Sequence, residues 1–528
     1  MRCMRLGWVL PVVLVAVGTL TAPQAAARTW EGALDELLAA PPGADVAALV
    51  TEVAAARPAW TDVAARIQAA GFPDVQVRGV PIVRTTAVGD TVELPWVLVV
   101  PESYDPQVPT PLLVVLHGGV SQAGVGEDPA AEAMENDLVG LAAREGWLAL
   151  HPFGQIGATW WDEAGMANIR NLVRTVKREC NVDDDRVWMG GISDGASASF
   201  LHAMVAPSDY AAFVALHGHM GVGSLDGGLP TYAPNLSNTP VYAVTTFDDG
   251  LYPSRIMRRT IDMARLAGAD VLYRELPGTH DFSPNAATEL PRIAAFLDRH
   301  PRDPFPARIT WETARPEFGA CRWLAVDRVS LDEPEPWHHD FNVALEDEAI
   351  TIGFLPDERY EGEGILVGSL PDGDYPARRI GLAPGDVIVA AGARTVGSMD
   401  DLYEYKTTLR RGGPISITVV RGAQRLVLEG RLPEAAAYNV FKRELPSALA
   451  VASWSANRVD VRASRVGAFR VLVHPDMLRL EENVVVAVNG ETVFDGRVTP
   501  DVGFLLRNFL ETRDRRLLYV AEIPVSVP

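Results

Sequence analysis

The sequence predicts an α/β chain: a doubly wound, mostly parallel sheet over residues 79–300, then a small β-sandwich-like unit (306–345 with 455–528) carrying an inserted module (350–433). Three observations predict it. Apolar runs of strand length alternate with helical patterns between residues 80 and 300, the signature of a parallel sheet covered on both faces. The last third is instead built of short alternating runs, one pair joined by Asn489-Gly490, a strong hairpin signal. And 528 residues, 48% of them apolar, call for several folded units.

Taken in order, the chain opens with Arg2 and Arg5, an apolar run from Leu6 to Leu20, and Ala25-Ala26-Ala27. A basic start, a short apolar core and small residues at the end describe a secretory signal over residues 1–27. Export to the periplasm or the extracellular space is therefore expected, with no integral membrane association. Residues 28–78 are alanine-rich with helical spacing (Leu34, Leu37, Leu38; Val46, Leu49, Val53) and predict a helical arm leading into the sheet. Expected strands are Pro111 to Gly119, ending in His117-Gly118-Gly119, Gly146 to Pro152, Val187 to Gly190, Ala211 to His217, Pro240 to Phe247 and Ala269 to Leu276, with a helix from Met166 to Glu179. Pro301, Pro304 and Pro306 then close the unit.

The strand at Val187 runs into Gly191-Ile192-Ser193-Asp194-Gly195 and a helix-compatible stretch. Gly-x-Ser-x-Gly between a strand and a helix makes a turn so sharp that the serine backbone is strained, and only glycine on either side avoids a clash. The serine hydroxyl then stands clear beside a helix N-terminus, where negative charge is favoured. A nucleophilic serine needs a base and an orienting acid. Beyond later strands lie Asp248-Asp249, with Pro253 four residues after Asp249, and His280. The proline register favours Asp249 over Asp248, so Ser193, Asp249 and His280 form the candidate set, each at a strand's C-terminal end. The backbone N–H groups of Gly119, in His117-Gly118-Gly119, and of Asp194 are the expected oxyanion donors.

Trp160 and Trp161 are the candidate substrate contacts, although paired loop tryptophans serve equally to plug a core. His217 and His219 have the wrong spacing for one helical face and read as strand-end residues near the site. His338 and His339 read as solvated. No Cys, His and carboxylate grouping has zinc spacing, so no metal and no cofactor is expected.

Leu116-His-Gly-Gly119, the run Val182 to Gly195, and Gly278-Thr-His280 are similar to motifs of the α/β-hydrolase superfamily. Within it they resemble secreted esterases of the polyhydroxybutyrate-depolymerase and dienelactone-hydrolase type, and prolyl-oligopeptidase catalytic regions. The resemblance implies acyl transfer to water through a Ser-His-Asp triad on a small-molecule ester or a peptide, the choice between them staying open. The rival is a catalytically silent scaffold whose inserted module does the binding; the intact order of Ser, Asp and His argues against it.

That module, with Tyr360 to Val367, Ile380-Gly-Leu-Ala-Pro-Gly-Asp-Val-Ile-Val389 and Ile415 to Gly422, looks like a bacterial PDZ domain. The resemblance implies that a peptide or protein C-terminus adds to a sheet edge, its carboxylate received by Gly362, Glu363, Gly364 and Ile365. Glu363 departs from an ideal anion-receiving loop. The formal charge of −21 argues against nucleic acid or an anionic membrane as partner. Cys180 and Cys321 fall in different units; a disulfide between them stays open, but two cysteines make no framework.

Overall fold

A computed structural model describes residues 28–527, apart from 42, 90, 91, 347–349, 358, 442 and 444. The expected secretion signal lies outside the described residues. Eight strands make the main sheet: β1 (Pro81–Val88), β2 (Val92–Val99), β3 (Thr110–Leu116), β4 (Leu148–Pro152), β5 (Val182–Ile192), β6 (Ala212–Leu216), β7 (Val241–Thr246) and β8 (Val271–Leu276). Their spatial order is β1-β2-β4-β3-β5-β6-β7-β8. The five strands β3, β5, β6, β7 and β8 run parallel, as do β3 and β4.

The apolar runs are continuous because both faces are covered. Leu112, Val114 and Leu116 enter one core with Met189 and Phe213. Their neighbours Leu113 and Val115 enter the other with Trp188 and Val214. Alternation along one strand thus feeds two layers of helix. The sheet departs from strict strand–helix alternation at its start, where β1 pairs antiparallel with β2, and β2 with β4. Only residues 89–91 separate β1 from β2, too few for the crossover a parallel pair needs.

The amino-terminal segment forms helices Trp30–Ala39, Ala47–Ala55 and Trp60–Gln68. Leu34, Leu37, Val50 and Val53 pack with Leu505, Leu506 and Phe509 of the helix Val502–Thr512. The two ends of the described chain therefore share one small core. A second tie is ionic: Lys177 and Arg302 close on Asp514, with Lys177 also 3.0 Å from Asp184, and all four side chains are essentially buried.

The strand-rich part has two sheets around one core. Strands Arg308–Thr313, Ala448–Ser455, Arg458–Ser464, Val484–Val488 and Glu491–Gly496 form one; Ala320–Cys321, Leu324–Val329, Val466–Val473 and Ala521–Ser526 form the other. Trp311, Ala450 and Val486 meet Trp323, Phe469 and Ile523 between them. Its second segment begins at Ala448 rather than 455, and the helix Val502–Thr512 was not among the expected elements. Asn489 (φ 50°) and Gly490 (φ 92°) form the expected tight turn. Cys180 and Cys321 are buried and unbonded.

Between those segments lies the inserted module, with its own core of Ile352, Val367, Ile388, Leu402 and Ile417. Its stems, Ala344–Glu346 and Ala437–Asn439, pair antiparallel. Leu345, Val440 and Phe441 bury themselves in the core of the main sheet, so the module is anchored there. Nearby, His338 is not solvated as expected: its ring is 3.2 Å from the buried Glu312 carboxylate and 3.0 Å from Ser464 Oγ. A buried carboxylate must recruit donors, and His338 is one.

Candidate active site

Ser193 sits between β5 and the helix Asp194–Val205 with φ 56° and ψ −116°, a conformation side chains rarely adopt. A Cβ on Gly191 would lie 2.5 Å from the Leu116 carbonyl oxygen, and one on Gly195 2.0 Å from the same atom. Both glycines are thus required by the close passage of β3, and the serine is pushed above the sheet edge.

His280 Nε2 is 2.9 Å from Ser193 Oγ, and its Nδ1 is 2.8 Å from Asp249 Oδ2. The structure brings these three together from the ends of β5, β7 and β8. Asp249 is buried and Asp248 exposed, as the proline register required. Asp249 Oδ1 accepts from the N–H groups of Leu251 and Tyr252, both at 2.8 Å. Burial alone would raise this carboxyl; bonds from His217, His280 and the Tyr252 N–H overturn that and hold it well below the usual carboxylate range. It is therefore an ionised acceptor that fixes the His280 tautomer with Nε2 facing the serine.

The loop after β3 is held from several sides. The Val120 N–H donates to the Asp194 carboxylate at 3.0 Å, and the Gly119 N–H is also turned to it. Burial pushes that carboxyl up, and the two N–H groups oppose the rise. Of the two expected oxyanion donors, Gly119 is thus engaged by a side chain, while the Asp194 N–H stands at the helix start. A Cβ on Gly118 would come 3.0 Å from Ser193 Cβ, which keeps this backbone against the nucleophile.

Trp160 and Trp161 are not substrate contacts. Trp160 is fully buried and Trp161 nearly so. The Trp160 indole N–H donates to the His117 carbonyl at 2.9 Å, and its ring lies against Gly154, where a Cβ would clash at 2.9 Å. Trp161 packs on Gly227 in the same way. These rings hold the loop carrying Gly119 from behind. Gly154 N–H donates to His117 Nε2 at 3.0 Å, adding a further tie.

Residues 362–365 were the expected carboxylate-receiving loop of the inserted module. They form the turn between strands Leu355–Pro356 and Ile365–Ser369, and the Tyr360 ring occupies the space a Gly362 Cβ would need. Ile365–Ser369 pairs through Val367 and Ser369 with Leu355–Pro356 and through Ile365 and Leu366 with Val387–Ala391, so the outer strands of the module's sheet are Leu355–Pro356 and Gln424–Arg431. The Tyr360 phenol thus lies against the loop of Gly362, Glu363, Gly364 and Ile365, the residues expected to receive a carboxylate.

Two features lay outside the expected set. His217 Nδ1 is 3.3 Å from Asp249 Oδ2, a second imidazole on the same oxygen. Aromatic rings also run from His280 to Tyr252 (5.8 Å), to His219 (5.5 Å) and to Tyr438 (5.8 Å), whose hydroxyl is 2.8 Å from His219 Nε2. Burial pulls the His219 imidazole down to about 4. Tyr438 belongs to the stem of the inserted module, so that stem helps wall the site. Ligand atoms of His217, Asp249 and His280 lie within 4.8 Å of one another. Hydrogen bonds between imidazole and carboxylate account for that closeness, and we assign no metal to it.

No known family model matches this chain. It is similar to a bifunctional acetylxylan esterase/xylanase of Neocallimastix patriciarum, 31% identical over 98 residues, which are 18% of this chain. The similar stretch spans only 14% of that protein's length. Among solved structures it is similar to a thermostable esterase (20% identity, 42% of this chain and 63% of that one, TM-score 0.35). It is similar also to Thermogutta terrifontis esterase 2 (16%, 42% and 92%, 0.35) and to the Pyrococcus horikoshii acylaminoacyl peptidase (16%, 42% and 42%, 0.34).

Proposed function

We propose that this chain is an exported serine hydrolase that transfers the acyl group of a carboxylic ester or a peptide to water. One observation carries the reading: Ser193 Oγ, His280 and Asp249 are linked by bonds of 2.9 and 2.8 Å on a strained elbow. His280 Nε2 takes the Ser193 proton as Oγ attacks the carbonyl carbon, and Asp249 stabilises the resulting imidazolium. The Asp194 N–H receives the oxyanion, joined by the Gly119 N–H once it turns from the Asp194 carboxylate. Collapse expels the alcohol or amine, protonated by His280, and water then releases the acid by the same steps in reverse.

The stretch similar to an acetylxylan esterase/xylanase favours esters. Hydrolysis of p-nitrophenyl acetate against a peptide p-nitroanilide tests the choice. Ester turnover lost in Ser193→Ala supports the reading, and turnover unchanged in that variant refutes it. For export, the pattern of residues 1–27 is the support, and the amino terminus of protein recovered outside the cytoplasm is the test. Among the described residues no helix is long and apolar enough to cross a membrane.

The module that resembles a PDZ domain is proposed to bind an extended peptide along the free edge Leu355–Pro356. A cleft of about 980 Å³ opens elsewhere on the module, between the helix Met399–Thr408 and the loop carrying Asp248 and Asp249, with Ile350, Lys406 and Leu409 on its walls. Binding of peptides with free and amidated carboxyl termini to the Ser193→Ala protein tests this separately from hydrolysis.

A further inference from the structure

His217 follows β6 in the left-handed region, φ 59°, where a residue with a side chain is strained. Its ring is fully buried, and Nε2 has no hydrogen-bond partner. A core filler would carry neither cost: glycine or asparagine suits the backbone, and an apolar residue suits the cavity. What the imidazole alone supplies lies at its other nitrogen. Nδ1 is 3.3 Å from Asp249 Oδ2 and 3.5 Å from Thr246 Oγ1. Thr246 spends its own proton on the Thr279 carbonyl at 2.6 Å, so both neighbours of Nδ1 are acceptors and Nδ1 carries the hydrogen.

The backbone around this ring is fixed on the nucleophile. The Ser193 N–H donates to the Leu216 carbonyl at 2.9 Å, and the His217 N–H to the Val244 carbonyl at 2.8 Å. Gly218 passes so close to the elbow helix that a Cβ would lie 2.5 Å from Ala196 Cβ. His217 is thus set on the same frame as Ser193. Its ring meets that of His280 edge-on at 5.7 Å, across the carboxylate oxygen both approach.

We propose that His217 is a positioning residue for the reaction at Ser193: its Nδ1–H holds the Asp249 oxygen that orients His280. The proposal rests on the serine-hydrolase reading above. Asp249 Oδ1 is pinned by two backbone N–H groups and Oδ2 by two imidazoles, so the carboxylate cannot rotate away when His280 moves towards the leaving group.

The test uses two variants of the full chain. His217→Gly keeps a backbone that tolerates the left-handed turn and removes the donor; His217→Asn keeps both. With an ester substrate, His217→Gly is expected to lower kcat by roughly 10- to 100-fold with KM within about twofold. The acid limb of kcat/KM should move up by about half a pH unit, because an Asp249 relieved of one donor draws harder on the His280 proton. His217→Asn should restore most of both. Asp194, which faces His280, and Tyr252 beside it are untouched by either change. In proton spectra the wild type and Ser193→Ala should each show, besides the low-field signal of the His280 Nδ1–H on Asp249, a second imidazole N–H signal that His217→Gly lacks.

Wild-type kcat and an unmoved acid limb in His217→Gly would overturn the proposal. So would equal losses in both variants with no limb shift, which is the behaviour of a packing residue. Absence of that second signal from folded wild-type protein, or its survival in His217→Gly, would overturn it too. The spectrum reads the His217 bond without turnover. Should Ser193→Ala retain hydrolysis, the serine-hydrolase reading fails on its own account and is told apart from failure here.

Discussion

Asp249 and Asp514 are both carboxylates with fully buried side chains, and each is surrounded by donors. Asp514 meets two permanent cations, Arg302 at 2.7 Å and Lys177 at 3.2 Å, with the N–H groups of Arg516 and Leu517 completing its shell. Asp249 meets no permanent cation at all among the described residues, only two backbone N–H groups and two histidines. Burial would raise both carboxyls, and in both the surrounding donors reverse the shift. A cation that cannot lose its charge makes a fixed joint, here between the main sheet and the carboxyl-terminal tail. A histidine can change its charge, and the one on Asp249 reaches a serine hydroxyl. The difference between joint and site lies in the partner, and not in the acid.

Removing the charge at each position breaks the comparison in opposite ways. Asp249→Asn should cut ester turnover by about 10⁴-fold through loss of the productive His280 tautomer. The loss is read by steady-state kinetics on protein that remains folded by circular dichroism. Asp514→Asn should leave turnover per folded molecule near wild type while destabilising the fold by about 3 kcal/mol, since buried Lys177 would keep only Asp184 and buried Arg302 only the partly exposed Asp185 as counter-charge. Denaturant unfolding measures it. An Asp514→Asn protein with wild-type stability would mean the joint is ornamental.

Smaller effects sharpen the contrast. Asp194→Ala removes the acceptor that holds the Val120 and Gly119 N–H groups, and should lower turnover by about tenfold with little change in stability. The pH dependence follows from sign. Asp514 has a folded pKa below its unfolded one, so its stabilisation is present above the ordinary aspartate value of about 4 and is lost as pH falls through it towards the folded value. Melting temperature should therefore decline below about pH 4, less steeply in Asp514→Asn.

Much of this was legible in the chain. The runs Leu112 to Leu116 and Val241 to Val244 are apolar at every position because both sheet faces are covered, and Gly191 and Gly195 announce a turn that only a β3 carbonyl at van der Waals distance explains. The order Ser193, Asp249, His280 followed from strand ends. What escaped depends on residues distant in sequence. Whether Trp160 faces solvent is decided by Gly154 and the His117 carbonyl, neither visible as a neighbour in the sequence. His217 was read as near the site, but its contact with Asp249 is fixed by the register of β6 on β7, which periodicity does not report. The antiparallel start of the sheet and the packing of Val502–Thr512 on the first helices are likewise long-range pairings. That Tyr360 lies against Gly362 is likewise a contact that a glycine-rich loop does not announce.

The central claim is that Ser193 is an activated nucleophile. Fluorophosphonate labelling of the mature protein, with the modified peptide mapped by mass, tests it most directly. The account predicts a single adduct on the peptide containing Ser193, absent from Ser193→Ala and strongly slowed in Asp249→Asn. A folded wild-type protein that takes no label, or one whose label persists in Ser193→Ala, would contradict it.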